Sequence, residues 1–321
     1  MRILVTGGAG FIGSHLSERL VSIGHEVTVI DNFSTGSATN LQNLITSKSF
    51  TLVEGSILEL TTLEPLIRDV DYVFHLAAAV GVFNIVNNPL ASLLTNIRGT
   101  ENVLEAAHQT NTPVFVTSSS EVYGKNVSNS LKESEDRILG SPVTLRWSYS
   151  EAKAIDESLA YAYFVEKQLE TRIVRFFNTV GPRQLGAYGM VVPRFVKAAL
   201  TNQPITIYGD GNQTRCFAHV YDVIDAVLLI AFATHTIGKV INIGNDFEIS
   251  INSLAKRIIN ETGSKSEIVY VPYDEAYGDG FEDMERRVPN IDLINQLVGW
   301  KPKRNLSTMI ADISTEMKKS S

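Results

Sequence analysis

Cysteine is nearly missing from this chain. One thiol, Cys216, stands in 321 residues. That excludes a disulfide framework and any zinc site built on cysteine, and it fits a reducing cytoplasm. The six histidines show no close ligand spacing, so no metal is expected. Long apolar runs are missing too. The longest, Ala226–Ala233, is far short of a membrane span and reads as a buried helix, so no membrane association is expected. Nor is there an excess of positive charge. A formal charge of −7 argues against a general nucleic-acid binder, which carries a basic face. Met1–His15 is apolar but broken by glycine. It lacks the basic flank and cleavage site of a signal peptide, and reads as strand and turn. No internal repeat, low-complexity segment or flexible linker is present.

What the chain has is apolar residues, 44% of the total, enough for one large domain or two intimate ones. Short β-rich runs alternate with helical patterns through the first half. Arg2–Thr6, Glu26–Asp31, Phe50–Glu54, Asp71–Leu76 and Val114–Thr117 are predicted strands, with helices such as Phe11–Ser22 and Pro89–Gln109 between them. The strands read as unbroken apolar runs, as expected of strands buried on both faces, and the alternation implies right-handed βαβ units on a parallel sheet. The second half is less regular. Thr171–Phe177 is a predicted strand, Asn178–Tyr188 a loop, and a helix is expected around Pro193–Thr201. Lys239–Ile243 reads as the last strand, and Glu267–Arg287 as a charged, loop-rich stretch.

Gly7, Gly10 and Gly13 form G-x-x-G-x-x-G directly after the first strand and at the start of a helix. Glycines there permit a tight turn and close approach of backbone N–H groups to a pyrophosphate, and the helix N-terminus favours the negative charge. Asp31 ends the second strand, 24 residues after Gly7, where a carboxylate suits the two hydroxyls of an adenosine ribose. No Arg or Lys follows it closely to hold a 2′-phosphate, so NAD is favoured over NADP. The alternative is a carboxylate that merely caps a turn. The fold class is therefore α/β: a Rossmann-like doubly wound parallel sheet with a smaller α/β C-terminal substrate lobe. The boundaries expected are 1–178 for the NAD-binding domain, with a return segment at about 216–244, and 179–215 plus 245–321 for the substrate lobe.

Tyr149 and Lys153 are four residues apart on a predicted helix and project from one face. A lysine cation beside a phenol favours the phenolate and lowers its pKa from about 10 toward neutrality. Such a tyrosine can take the proton from a sugar hydroxyl as hydride leaves. Taken alone, the pair also fits a solvated helix surface.

Several stretches in order resemble the extended short-chain dehydrogenase/reductase superfamily. They are the glycine loop, His75-Leu76-Ala77-Ala78, Ser118–Gly124, Tyr149-x-x-x-Lys153, Arg175–Asn178, Gly181-Pro182-Arg183, Tyr208–Arg215, Arg287-x-Pro289 and Gly299–Pro302. The resemblance covers nearly the whole chain and implies a nucleotide-sugar enzyme. It makes Tyr149 the base, Lys153 its electrostatic partner and a ligand of the nicotinamide ribose, and Ser119 the partner of the reacting hydroxyl. It places Gly7, Gly10, Phe11, Ile12, Gly13, Asp31, Asn32, Ser56, Leu76, Ala77, Ala78 and Asn96 at the cofactor, with Asn96 in a structural role. Ser56 stands where many relatives have Asp. Ser120, Asn178, Val192, Tyr208, Arg215 and Arg287 are expected at the substrate, with Phe177 adjoining. A guanidinium at 215 or 287 suits a diphosphate; either could instead form a surface ion pair.

Enzymes of this kind begin by oxidising C4–OH of a nucleotide-sugar. Ser120-Glu121 resembles UDP-glucuronate decarboxylases, while dTDP-glucose dehydratases carry Asp-Glu there; a serine is a poor acid for a leaving hydroxyl. Arg146–Ser150 and Tyr277–Arg287 resemble decarboxylases that begin 4-amino-arabinose synthesis. In that family the final arginine, here Arg287, is assigned to proton donation at C5. Orienting a carboxylate or water suits an arginine equally. Glu121 has the alternative of capping backbone. Ala79-Val80-Gly81-Val82 and Tyr188–Pro193 resemble UDP-galactose-type 4-epimerases, whereas Cys216 stands where many of those have Asp. The expected activity is a UDP-glucuronate decarboxylase giving UDP-xylose or a UDP-4-keto-pentose, with UDP-sugar 4-epimerase as the alternative. A catalytically dead NAD-binding module is a third possibility, opposed by intact Ser119, Tyr149 and Lys153. The resemblance also implies a homodimer paired through the helices carrying Tyr149 and Asn96, and the cysteine usage a cytoplasmic location.

Overall fold

The computed structural model describes residues 1–81, 85, 87–186, 190–277 and 284–319. Val82, Tyr188, Gly189 and residues 278–283, singled out above, lie outside the described residues.

Seven parallel strands form the central sheet. Strands β1 (Arg2–Thr6), β2 (Glu26–Asp31), β3 (Phe50–Glu54), β4 (Tyr72–His75), β5 (Val114–Ser119) and β6 (Thr171–Phe176) are joined by Val240–Ile243. Their spatial order runs Val240–Ile243, β6, β5, β4, β1, β2, β3. The chain winds outward from β1 in both directions, as a Rossmann-like fold does. Because all strands point the same way, Thr6, Asp31, His75, Ser119 and Phe176 all end at one edge. That edge carries the candidate site.

Both faces of the sheet are covered. Helix α1 (Phe11–Ser22) and the Val220–Ala231 helix pack Leu16, Leu20, Val223 and Val227 onto Ile3, Val5 and Phe74. On the opposite face, α2 (Leu60–Arg68), the Pro89–Thr110 helix and the Ser148–Lys167 helix pack Leu63, Val103, Leu104 and Ala160 onto Leu4, Val73 and Val116. Burial on both sides is the reason these strands carry no polar alternation.

A second, separate core gathers Val192, Phe195, Ile205, Ile207, Leu254, Ile258, Met309 and Ile313. Here the sequence-based expectation is corrected. Val240–Ile243 is not the last strand: Glu248–Ser250 pairs antiparallel with Thr214–Cys216, and Ile268–Val271 pairs parallel with Ile205–Tyr208. The expected loop-rich stretch from Glu267 thus opens with a strand and a short helix, Tyr273–Tyr277. Within the expected loop after Asn178, Thr179–Val180 pairs with Ala218–His219. The helix expected around Pro193 begins earlier, at Val191, because a proline in the first turn removes an N–H that has no intrahelical acceptor anyway.

Candidate active site

At the end of β1 the glycine loop turns back under itself. Gly7 has φ +70°, and a Cβ on it would lie 2.7 Å from the Ala77 backbone. A Cβ on Gly13 would lie 2.3 Å from the Gly7 carbonyl oxygen. Only glycine fits either place. Helix α1 then starts with no side-chain cap and no acidic residue in its first turn, leaving its first N–H groups facing the cleft. Asp31 is buried at the end of β2 and accepts from Ala9 N at 2.9 Å and Phe33 N at 2.8 Å. Burial raises its carboxyl and these two bonds oppose the rise. An uncapped helix start, a glycine cradle and an oriented carboxylate at the second strand end form a donor and acceptor set that fits a dinucleotide.

These groups line one end of a cavity of about 510 Å³. Every residue expected at cofactor or substrate lines the same cavity, apart from Asn96. The Asn96 side chain is buried and clasps one peptide, accepting from Ala79 N at 2.7 Å and donating to Ala79 O at 3.3 Å. It fixes the loop after β4 and does not face the cavity. Ser56 Oγ accepts from Leu58 N at 3.2 Å and caps its own turn.

In the middle of the cavity, Tyr149 and Lys153 rise one turn apart from the Ser148–Lys167 helix, beside Ser119 at the end of β5. The lowered phenol pKa expected from sequence is overturned. Burial pushes Tyr149 above its ordinary value, and the Glu121 and Asp156 charges add to the rise. Lys153 and the Ser119 hydroxyl pull the other way and are outweighed. Lys153 is itself buried, donating to Thr117 O at 3.0 Å and pairing with Asp156 at 3.1 Å. Burial draws its pKa down, but the Asp156 carboxylate prevails and it stays charged.

At the far end Glu121 sits in the short turn Ser120–Tyr123, whose start is capped by Ser119 Oγ accepting from Glu121 N at 3.2 Å. One carboxylate oxygen accepts from Arg287 Nη1, and the other lies 2.6 Å from Arg146 Nη1. Burial alone would raise this carboxyl; the two guanidiniums reverse that and hold it well below the usual range. An ionised Glu121 cannot serve as a proton donor. Arg287 Nη2 also donates to Asn178 Oδ1 at 2.7 Å, and Asn178 Nδ2 donates to Cys216 O at 3.0 Å. Arg287 is thereby fixed beside Glu121. Arg215, with Nη1 donating to Thr214 O at 2.8 Å, and Tyr208 line the cavity from the second core. Cys216 is buried, and its thiol is pushed up to about 12, mainly by that burial, so it is no nucleophile.

Sequence reasoning gave no site role to the cavity-lining Arg194, nor to Arg146, which it noted only within the Arg146–Ser150 stretch. Arg194 lies 4.2 Å over the Tyr208 ring, and Arg146 lies 5.4 Å over Trp147. Arg146 enters the Tyr149 helix three residues before Tyr149. That spacing was the available signal, since neighbours at i and i+3 share a helix face. Among the described residues, no group of three or more His, Cys, Asp or Glu could hold a metal ion, and no helix is long and apolar enough to cross a membrane.

Comparison with known proteins gives relatives along the whole length. The chain is 40% identical over 302 residues to UDP-N-acetyl-alpha-D-glucosaminuronate decarboxylase of Bacillus cytotoxicus, covering 94% of this chain and 92% of that protein. It is 37% identical to UDP-glucuronic acid decarboxylase 1 of Xenopus tropicalis over 94% of this chain and 68% of that one. Its fold matches the crystal structure of UDP-glucuronic acid 4-epimerase from Bacillus cereus, in complex with UDP-glucuronic acid and NAD. That match has a TM-score of 0.90 at 30% identity and covers 100% of both chains. The GDP-mannose 4,6 dehydratase family matches residues 4–313, and the chain belongs to that family of extended short-chain dehydrogenases/reductases.

Proposed function

We propose that this protein is an NAD-dependent decarboxylase of a UDP-hexuronate, of the UDP-glucuronate type. One observation carries the reading: a single ionised carboxylate, Glu121, shared by two guanidiniums at the end of the cleft beyond Tyr149. Two cations on one anion leave a net positive charge facing the cavity. A UDP-hexose brings nothing to balance it, whereas the C6 carboxylate of a hexuronate does. The names of the Bacillus cytotoxicus and Xenopus tropicalis relatives support the same substrate chemistry.

NAD fits the glycine loop, the open start of α1 and Asp31, and the Bacillus cereus neighbour was solved with NAD bound. When bound, it supplies the hydride acceptor for C4. The chain's own residues do the rest. Ser119 holds the C4 hydroxyl and Tyr149 takes its proton. Lys153 stabilises the phenolate that does so. With C4 a ketone, the sugar is a β-keto acid: the C5–C6 bond breaks, carbon dioxide leaves, its electron pair passes to a C4–C5 enolate, and C5 then takes a proton from water to give the 4-keto-pentose. Arg146 and Arg287 orient the C6 carboxylate before it leaves, and Glu121 orients both arginines. Arg215 and Tyr208 hold the nucleotide end. We assign residues 1–178 with 216–244 to the NAD-binding part and 179–215 with 245–321 to the substrate lobe, although Ile294 and Trp300 pack into the core of the former.

A homodimer is supported by Ile155, Tyr161 and Val165, which are 41%, 51% and 57% exposed on the Tyr149 helix. Light scattering tests it, and a monomer refutes it. Cytoplasmic placement is supported by the single buried Cys216.

The deciding experiment is incubation of the purified protein and NAD with UDP-glucuronate, and separately with its 2-acetamido analogue. Carbon dioxide release and a pentose product by mass establish decarboxylation. A UDP-sugar of unchanged mass and inverted C4 establishes the second reading, a UDP-hexuronate 4-epimerase, favoured by the Bacillus cereus neighbour. Turnover of UDP-glucose with no reaction of either hexuronate overturns both.

A further inference from the structure

Asp156 has no part in the chemistry above, yet it is fully buried against the lysine on which that chemistry depends. It lies one turn beyond Lys153 on the same helix, with Oδ2 3.1 Å from Lys153 Nζ. Buried carboxylates are rare unless paired, and here the partner is the cation expected to act on Tyr149. The Thr100 hydroxyl, from the Pro89–Thr110 helix, faces the carboxylate. Thr100 Oγ1 lies 3.1 Å from His75 Nε2, and His75 Nδ1 lies 2.8 Å from Thr6 Oγ1 at the end of β1. Burial drives the His75 ring down to about 3, so it is neutral. Burial raises the Asp156 carboxyl, and the Lys153 ammonium opposes that rise. His75 thus bridges the Thr6 and Thr100 hydroxyls beside the carboxylate, whose Oδ1 has no hydrogen-bond partner among the described residues.

We propose that Asp156 is a positioning residue that restrains the Tyr149–Lys153 pair: it holds the ammonium on its own turn of the helix and withholds part of that charge from the phenol. This rests on the reading of Tyr149 as the base. An ion pair acts on a neighbour as a dipole, whose field fades faster than that of a lone charge. The other carboxylates nearby are committed elsewhere. Glu157, on the same helix, is paired with Arg175 of β6 at 2.7 Å. Glu121, after β5, is paired with Arg146 and Arg287. His75 of β4 is neutral, and β5 offers Lys153 only the Thr117 carbonyl. Among the described residues, Asp156 is the carboxylate that answers Lys153.

Asp156→Asn keeps the size and removes the charge. The ultraviolet absorbance of the phenolate is titrated with pH in the wild type and in this variant, each with Tyr149→Phe in the same background subtracted. The expected result is that Tyr149 titrates about one pH unit lower in the variant, with the rising limb of the rate profile moving down by the same amount. Coincident curves, or a shift upward, overturn the proposal. If Asp156→Asn does not fold, Asp156→Ser is titrated the same way. Should neither fold, Asp156 is structural and the proposal is lost. Turnover that survives Tyr149→Phe overturns the reading of Tyr149 as base, and the phenol titration still reports separately on Asp156.

Discussion

Glu121 and Arg287 stand 166 residues apart and meet through a hydrogen bond inside the cleft, with Arg146 on the other carboxylate oxygen. The helix entry that carries Arg146 and the late segment that carries Arg287 are thus tied to one side chain. Removing that side chain's charge sets two cations against each other.

Glu121→Gln is expected to lower kcat on UDP-glucuronate about 100-fold and destabilise the fold by about 3 kcal/mol. Chemical denaturation and product assays measure the two effects. The carboxyl is held below its ordinary value, so its stabilisation is complete above a pH of about 4.3 and fades as pH falls further. The stability gap between wild type and variant should therefore narrow in acid.

Arg146→Lys keeps the charge and loses the planar fork. Affinity for UDP-glucuronate should fall about 10-fold, while affinity for UDP-glucose stays within a factor of about two. Calorimetry with both ligands decides. Equal losses would remove Arg146 from carboxylate recognition.

Tyr149→Phe should reduce turnover about 1,000-fold and leave NAD binding nearly intact. Since burial holds the phenol above its ordinary value, the reactive phenolate accumulates as pH rises. Wild-type activity should climb toward alkaline pH, and the residual activity of the variant should lack that climb.

The sheet was legible because its inner strands are largely buried apolar runs: Arg2–Thr6 and Glu26–Asp31 form with the predicted bounds, and so does the half-exposed edge strand Phe50–Glu54. Ile268–Val271 was not, because Val269 and Tyr270 are exposed and its partner, Ile205–Tyr208, lies far back in sequence. At the site, residue types were readable and their charge states were not. Tyr149 and Lys153 share a helix face as their spacing requires, but the sign of the tyrosine's shift depends on burial and on Glu121. The pairing of Glu121 with Arg146 depends on a turn after β5 meeting the entry to another helix, and no local pattern reports it.

Gly13→Ala places a Cβ 2.3 Å from the Gly7 carbonyl oxygen and 2.7 Å from the Gly8 Cα, so the loop must shift. NAD affinity should fall at least about 10-fold, a change of about 1.4 kcal/mol, with the circular dichroism spectrum retained. Unchanged affinity would place the dinucleotide elsewhere.

His15 is buried beside the Pro182 carbonyl, 3.0 Å from its Nε2. Burial lowers its pKa from 6.5 to about 4, against the pull of that bond. Between those values the unfolded chain binds the proton and the folded chain does not, so stability falls as pH drops through that window. His15→Gln keeps a donor without the titration. Its unfolding midpoint should fall less steeply than the wild type's across the same range.

Arg287 owes its place to Leu131, whose N–H donates to Val288 O at 2.8 Å and whose carbonyl accepts from Asn290 N at 2.9 Å. Asn242 donates to the same carbonyl at 2.9 Å. Leu131 therefore acts as a splint: the segment bearing Arg287 reaches Glu121 only in the register that this backbone clasp sets.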